Sequence, residues 1–146
     1  MNRIEAKINC SKLNRKGFLH ENLTRQIIGH SYEVMNELGR GFLESVYHKA
    51  FEVALRSGGL IVESEVSLKV SFRGHNVGNF RADLIVEQKV MVEVKVAEAI
   101  VGEHKAQVIN YLCASNLLVG LIVNFGQAKI QTARLHHPSI VRRLET

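Results

Sequence analysis

The sequence predicts one α/β domain built on a mixed β-sheet, with its elements in the order ααβββαββ. Three observations predict it. Apolar residues follow a helical period from Leu23 to Leu55, alternate with a period of two from Val66 to Val96, then return to the helical period over "GEHKAQVINYLCAS". A later run, "LLVGLIVNF", is continuously apolar, as expected of a strand covered on both faces. Finally, 146 residues with 46% apolar content suit a single core of ordinary size rather than two domains.

Each element has its own signature. In "NLTRQIIGHSYEVMNELG", Leu23, Ile27, Ser31, Met35 and Leu38 share one helical stripe flanked by Ile28 and Val34. Asn22 suits the N-cap, and Gly39 a left-handed C-terminal stop. A Gly-Arg-Gly turn leads into "ESVYHKAFEVALRSGG", a second amphipathic helix with Val46, Ala50, Phe51, Val53, Ala54 and Leu55 inward, ended by Gly58 and Gly59. Val66, Leu68, Val70 and Phe72 then alternate with polar partners as a strand, and "RGHNVG" reads as a turn. Two further strands, "FRADLIV" and "VMVEVKV", are joined by Glu87-Gln88-Lys89 into an antiparallel meander. A third helix directs Ala106, Ile109, Leu112 and Cys113 to the core, which makes Cys113 a buried thiol. The apolar run and "KIQTARL", an edge strand, complete the sheet. The boundaries expected are a basic leader over residues 1–21, the folded domain over 22–136 and a tail over 137–146.

Charge and composition narrow the partners. The net charge is +5, and Arg3, Lys7, Lys12, Arg15 and Lys16 contribute to it against Glu5 within the first twenty residues, so a polyanion or plain solvent suits that segment. No apolar run approaches the roughly 20 residues that span a bilayer, and no apolar stretch follows the first charges as a signal peptide requires. A cytoplasmic protein with no membrane partner is expected. Cys10 and Cys113 have no metal-ligand spacing and make no disulfide framework.

The charged residues inside the strands carry the functional signal. Residues two apart on a strand share a face, so Glu93 and Lys95 project together, and the short turn can bring Asp83 beside them. A lone E-x-K on a solvated sheet face needs no function. Here the strands are rich in valine and leucine and helices should cover them, so an unpaired charge would cost several kcal/mol. A divalent cation offsets two opposed carboxylates better than a lysine does, and Mg²⁺ takes hard oxygen ligands of this kind. Two helix-face pairs accompany them: Glu44 with Tyr47 at i, i+3, and Gln107 with Tyr111 at i, i+4. Each alone would suit a solvated polar group beside a core tyrosine. His104, one turn before Gln107, suits a surface position better than the site.

On the residues "GFLESVY", "FRADLIVE", "VEVK", "EHKAQVINYL" and "VGLIVNFG", in that order, the chain resembles the GxxExxY protein family of the PD-(D/E)xK nuclease superfamily, over roughly Leu23 to Leu135. The resemblance implies a restriction-endonuclease-like core and a metal-dependent nuclease acting on nucleic acid, DNA in the first instance, with Mg²⁺ as cofactor and Mn²⁺ as a substitute. It implies that Asp83 and Glu93 hold the metal, with Glu44 from the N-terminal helix and the backbone carbonyl of Val94 as further ligands. Lys95 completes the E-x-K element as the catalytic lysine. Gln107 and Tyr111 resemble the Q-x-x-x-Y motif of the RecB-like branch and would contact substrate, as would Tyr47. Ala82 stands where the superfamily has proline, and Gly39-Arg40-Gly41 where the family has Gly-Pro-Gly; neither removes a ligand. The competing reading is a non-catalytic nucleic-acid-binding or partner-binding protein that keeps the fold. A homodimeric enzyme, with two sites to cut two strands, is a further variant of the catalytic one.

Overall fold

The computed structural model describes residues 19–140, so nearly all of the basic leader and the end of the tail lie outside the described residues. Eight elements follow the expected order: α1 (Glu21–Leu38), α2 (Glu44–Ser57), β1 (Val62–Phe72), β2 (His75–Val86), β3 (Val90–Lys95), α3 (Gly102–Ser115), β4 (Val119–Asn124) and β5 (Gln131–His136). The strands form one sheet in the order β1-β2-β3-β4-β5. Only β3 and β4 run parallel, and α3 makes the crossover that a parallel pair requires.

Strand alternation sorts the core into two layers. Val90, Val92 and Val94 of β3, with Val119, Leu121 and Val123 of β4, pack with Ile27, Val34, Tyr47, Phe51 and Leu55 of α1 and α2. The opposite phase, Met91 and Ile122, packs with Val108, Tyr111 and Leu112 of α3. Every residue of β4 is buried, as its unbroken apolar run requires. Gly120 permits the close approach of α3, because a Cβ there would lie 2.6 Å from Cγ1 of Val108. Leu19 and Ile140 are buried in the first layer, so the folded core reaches beyond both ends of the 22–136 span.

The phase of β2 reverses in its middle. Leu84 and Val86 face α1 and α2, yet Ala82, two residues earlier, lies in the α3 layer. The residue between is Asp83. On β1, Ser64 stands opposite Leu84 and Val66 opposite Ala82, and Glu65 between them takes a left-handed φ of 52°. Such a kink in a paired strand re-aims the neighbouring side chains. Pairing of β2 with β3 stops nearby, covering only Leu84, Ile85 and Val86. Beyond that point β1 and β2 continue as a two-stranded arm.

Several expectations are corrected. "RGHNVG" is not a six-residue turn: Arg73 and Gly74, with φ of 50° and 80°, suffice, and pairing resumes at His75. The polar residues mistaken for loop lie on the solvated arm, where the Asn76 side chain accepts from Gly78 N. His20, not Asn22, occupies the N-cap position of α1, without a side-chain capping bond, whereas Gly39 does end the helix, with φ of 75° and its N–H on Met35 O. Leu38 is partly exposed. Val46 and Val53 are exposed on α2, whose buried residues are Tyr47, Phe51 and Leu55. On α3, Ala106 and Cys113 are exposed and Ile109 only half-buried; the inward face is Val108, Tyr111 and Leu112. The rotation on both helices puts aromatic rings inward in place of small aliphatic residues, which buries more apolar area per position.

Candidate active site

The phase reversal at Asp83 and the end of β2–β3 pairing accompany an interlocked acidic pair. Asp83 N donates to Glu93 Oε1 at 3.1 Å, and Val94 N donates to Asp83 Oδ2 at 2.8 Å. Each carboxylate is thus held by a backbone amide of the other strand. Glu93 is 4% exposed. Burial, then the neighbouring charge of Asp83, push its carboxyl up to about 8. Tyr111 is also raised, first by burial and then by the negative charge of Glu93.

From this pair a polar chain runs onto α3. Lys95, at the end of β3 and in the phase of Glu93, reaches Gln107 Oε1 at 3.5 Å, and Gln107 Nε2 donates to the Tyr111 hydroxyl at 3.0 Å. The structure therefore brings together Asp83, Glu93, Val94, Lys95, Gln107 and Tyr111. Helical spacing aligned the last two, and strand spacing Glu93 with Lys95.

Two expected site residues are placed differently. Tyr47 is fully buried, stacked on Phe125 with ring centroids 4.9 Å apart. Its hydroxyl donates to Gly39 O at 2.5 Å and accepts from Phe42 N at 3.4 Å. Its polar tip is used to hold the turn before α2. Glu44 is exposed at the first residue of α2, and no described hydrogen bond or ion pair joins it to the acidic pair. Helix side chains lean toward the N-terminus, so Glu44 extends past the end of its helix. His104 accepts from Val101 N at 3.2 Å and closes the start of α3 instead of facing the site.

Two residues went unnoticed in the sequence. His48, one turn after Glu44, is the contact from α2: its Nδ1 lies 3.9 Å from Asp83 Oδ1 and its Nε2 3.1 Å from Ser64 Oγ. The i, i+4 spacing from Glu44 was its signal. Asn124 is fully buried at the end of β4 and clamps the segment after Lys95. It accepts from Ala97 N and donates to Ala97 O, both at 2.9 Å, and also accepts from Gly126 N. Gly126 belongs to the same clamp, since a Cβ there would fall 2.4 Å from Ala97 O. Asn124→Ala would leave the Ala97 groups unpaired, a cost on the order of 2 kcal/mol. Thermal unfolding should register it as a drop of about 4–8 °C.

Among the described residues no group of three or more His, Cys, Asp and Glu side chains converges to hold a metal ion. The pair itself fits a hard divalent cation. Two carboxylates fixed side by side, one buried and resisting ionisation, gain most from positive charge between them.

A model of the PD-(D/E)XK nuclease superfamily matches residues 21–135, most of the chain. The chain belongs to that superfamily. Among solved structures, SSO0001 superposes with a TM-score of 0.54 at 22% identity, over 86% of this chain and 66% of that one. An alkaline exonuclease (LHK-Exo) from Laribacter hongkongensis matches at 0.46 and 12% identity, over 64% of this chain and 56% of that one. The chain thus spans less than two thirds of each. The superposition on SSO0001 is one of fold: a mixed five-stranded sheet between helices, a restriction-endonuclease-like core. No curated protein matches the sequence. Superfamily members generally use divalent metals on nucleic acid. Among the described residues no helix is long and apolar enough to cross a membrane.

Proposed function

We propose that this chain is a metal-dependent nuclease that hydrolyses phosphodiester bonds of DNA, within the GxxExxY family and the RecB-like branch of its superfamily. The observation that carries the reading is the interlocked Asp83–Glu93 pair, one member held protonated by burial, at the foot of a Lys95–Gln107–Tyr111 chain. A purely structural acidic pair has no need of that arrangement, because two apolar residues would fill the same space without the desolvation cost.

Asp83 and Glu93 would hold Mg²⁺, with the Val94 carbonyl beside them and Glu44 reaching in through water once substrate is bound; Mn²⁺ would substitute. The cation would supply a more acidic water and charge neutralisation at the scissile phosphate. Lys95 places a compact positive charge next to the reacting group, where it orients the attacking water or stabilises charge that develops on the phosphate oxygens. Gln107 holds the Lys95 ammonium on one side and the Tyr111 hydroxyl on the other, so three polar tips face the substrate in a fixed order. Their contacts position the backbone without reading sequence.

The test joins two measurements. Calorimetric titration with Mg²⁺ or Mn²⁺ should show binding by the wild type that Asp83→Ala abolishes. Linear, circular and branched DNA should be cleaved only with metal, and at least about 10³-fold more slowly by Asp83→Ala. No binding at millimolar Mg²⁺ and no cleavage would leave a nuclease fold used for binding alone.

A further inference from the structure

The β1–β2 arm and α3 enclose an open groove of about 530 Å³, within the size range of ligand sites. Lys69 and Ser71 of β1, Gly78 and Phe80 of β2, and Asn110 and Cys113 of α3 lie along it. The groove begins where the candidate active site ends. Phe80 lines it and also contacts the Tyr111 ring, with centroids 5.2 Å apart and planes tilted by 44°. Lys95, Gln107, Tyr111 and Phe80 therefore form one unbroken series from the acidic pair into the groove.

Its lining is chemically mixed. Phe80 keeps 38% of its surface exposed although it borders the core. Gly78 lies against that ring: a Cβ there would meet the Phe80 ring at 3.7 Å and Val70 at 3.9 Å. Ser71 and Asn110 supply hydroxyl and amide groups. An exposed aromatic face is how proteins hold unpaired nucleotides, because bases stack on it. A duplex presents phosphates and paired edges to its surroundings, not base faces, and would leave Phe80 unused.

We infer that this groove holds the unpaired nucleotides adjoining the scissile phosphate, with a base on Phe80. The substrate is then a single strand, a frayed end or a flap rather than an intact duplex interior. This deepens the nuclease reading and rests on it.

Cys113, exposed in the groove wall, serves as the reporter. In a Cys10→Ser, Asp83→Asn background that binds without cutting, maleimide labelling of Cys113 should slow at least about tenfold with saturating oligothymidylate, and less than about twofold with a blunt duplex. Phe80→Ala should weaken oligothymidylate binding about tenfold by fluorescence anisotropy, while Phe80→Tyr, which keeps a ring, should bind as the parent does. Circular dichroism of each variant establishes that it is folded. Equal protection by the duplex overturns the inference, as does oligonucleotide binding that leaves Cys113 labelling unchanged. Cleavage of single strands by the wild type without such protection removes the groove and leaves the nuclease; absence of both binding and cleavage removes the two together.

Discussion

Lys95→Ala should lower DNA cleavage about 10²–10³-fold while metal affinity stays within about twofold of wild type, by single-turnover kinetics and calorimetry respectively. Lys95 ends β3 in the phase of Glu93, and its ammonium is oriented by Gln107 at 3.5 Å. That contact leaves the cation beside the acidic pair without neutralising it by a close ion pair, the position from which it can act on a phosphate or a water. Lys95→Arg is the sharper variant. An acidic pair that merely wants a positive neighbour tolerates arginine, whereas a compact charge that orients one water does not survive exchange for a planar fork. Full cleavage by Lys95→Arg would therefore count against the water-orienting role, and unchanged cleavage by Lys95→Ala against any catalytic role.

Glu93→Gln should make the metal-free protein more stable and the nuclease inactive. Unfolded, Glu93 ionises near 4.5; folded, it keeps its proton up to about 8, first because it is buried and then because Asp83 is beside it. Between those values the unfolded chain has released a proton that the folded chain still holds, so each increment of pH in that window favours unfolding. The contribution of Glu93 is thus largest below about 4.5, falls as pH rises toward 8, and is constant above. Glutamine keeps the oxygen that accepts from Asp83 N and has no proton to lose. In EDTA at pH 7 the variant should exceed wild type by on the order of 3 kcal/mol. That corresponds to a melting temperature higher by about 6–12 °C, and the gap should close as the pH approaches 4.5. Mg²⁺ should reverse the order, because a cation that binds only the folded wild type stabilises it by mass action. A melting-temperature difference independent of pH between 5 and 8 would contradict the buried-acid account.

Such a gain from Glu93→Gln would describe a site kept at the expense of stability, as expected of carboxylates arranged for a cation instead of for the fold. It also separates the roles of the surrounding residues. Tyr47 and Asn124 shape the site by holding backbone: the first fixes the turn before α2, the second the segment after Lys95. His48 approaches Asp83 from the α2 side, opposite in the fold to the Lys95–Gln107–Tyr111 chain on α3.

Sequence by itself determined the order and type of all eight elements. Period changes are local, and β4, covered on both faces, advertises itself as an unbroken apolar run. It also determined that Glu93 and Lys95 share a face and that Gln107 aligns with Tyr111, because those relations follow from strand and helix repeats alone. Tertiary structure decided the rest. Which side of α2 and α3 turns inward depends on the sheet beneath, so Tyr47 and Tyr111 displaced Val46, Val53, Ala106 and Cys113 from the core. Tyrosine can be buried when its hydroxyl finds a partner, and that partner, Gly39 O or Gln107, is visible only once the chain is folded. The phase reversal at Asp83, the reach of His48 and the Asn124 clamp each join segments far apart in sequence, and no local period encodes a contact of that range.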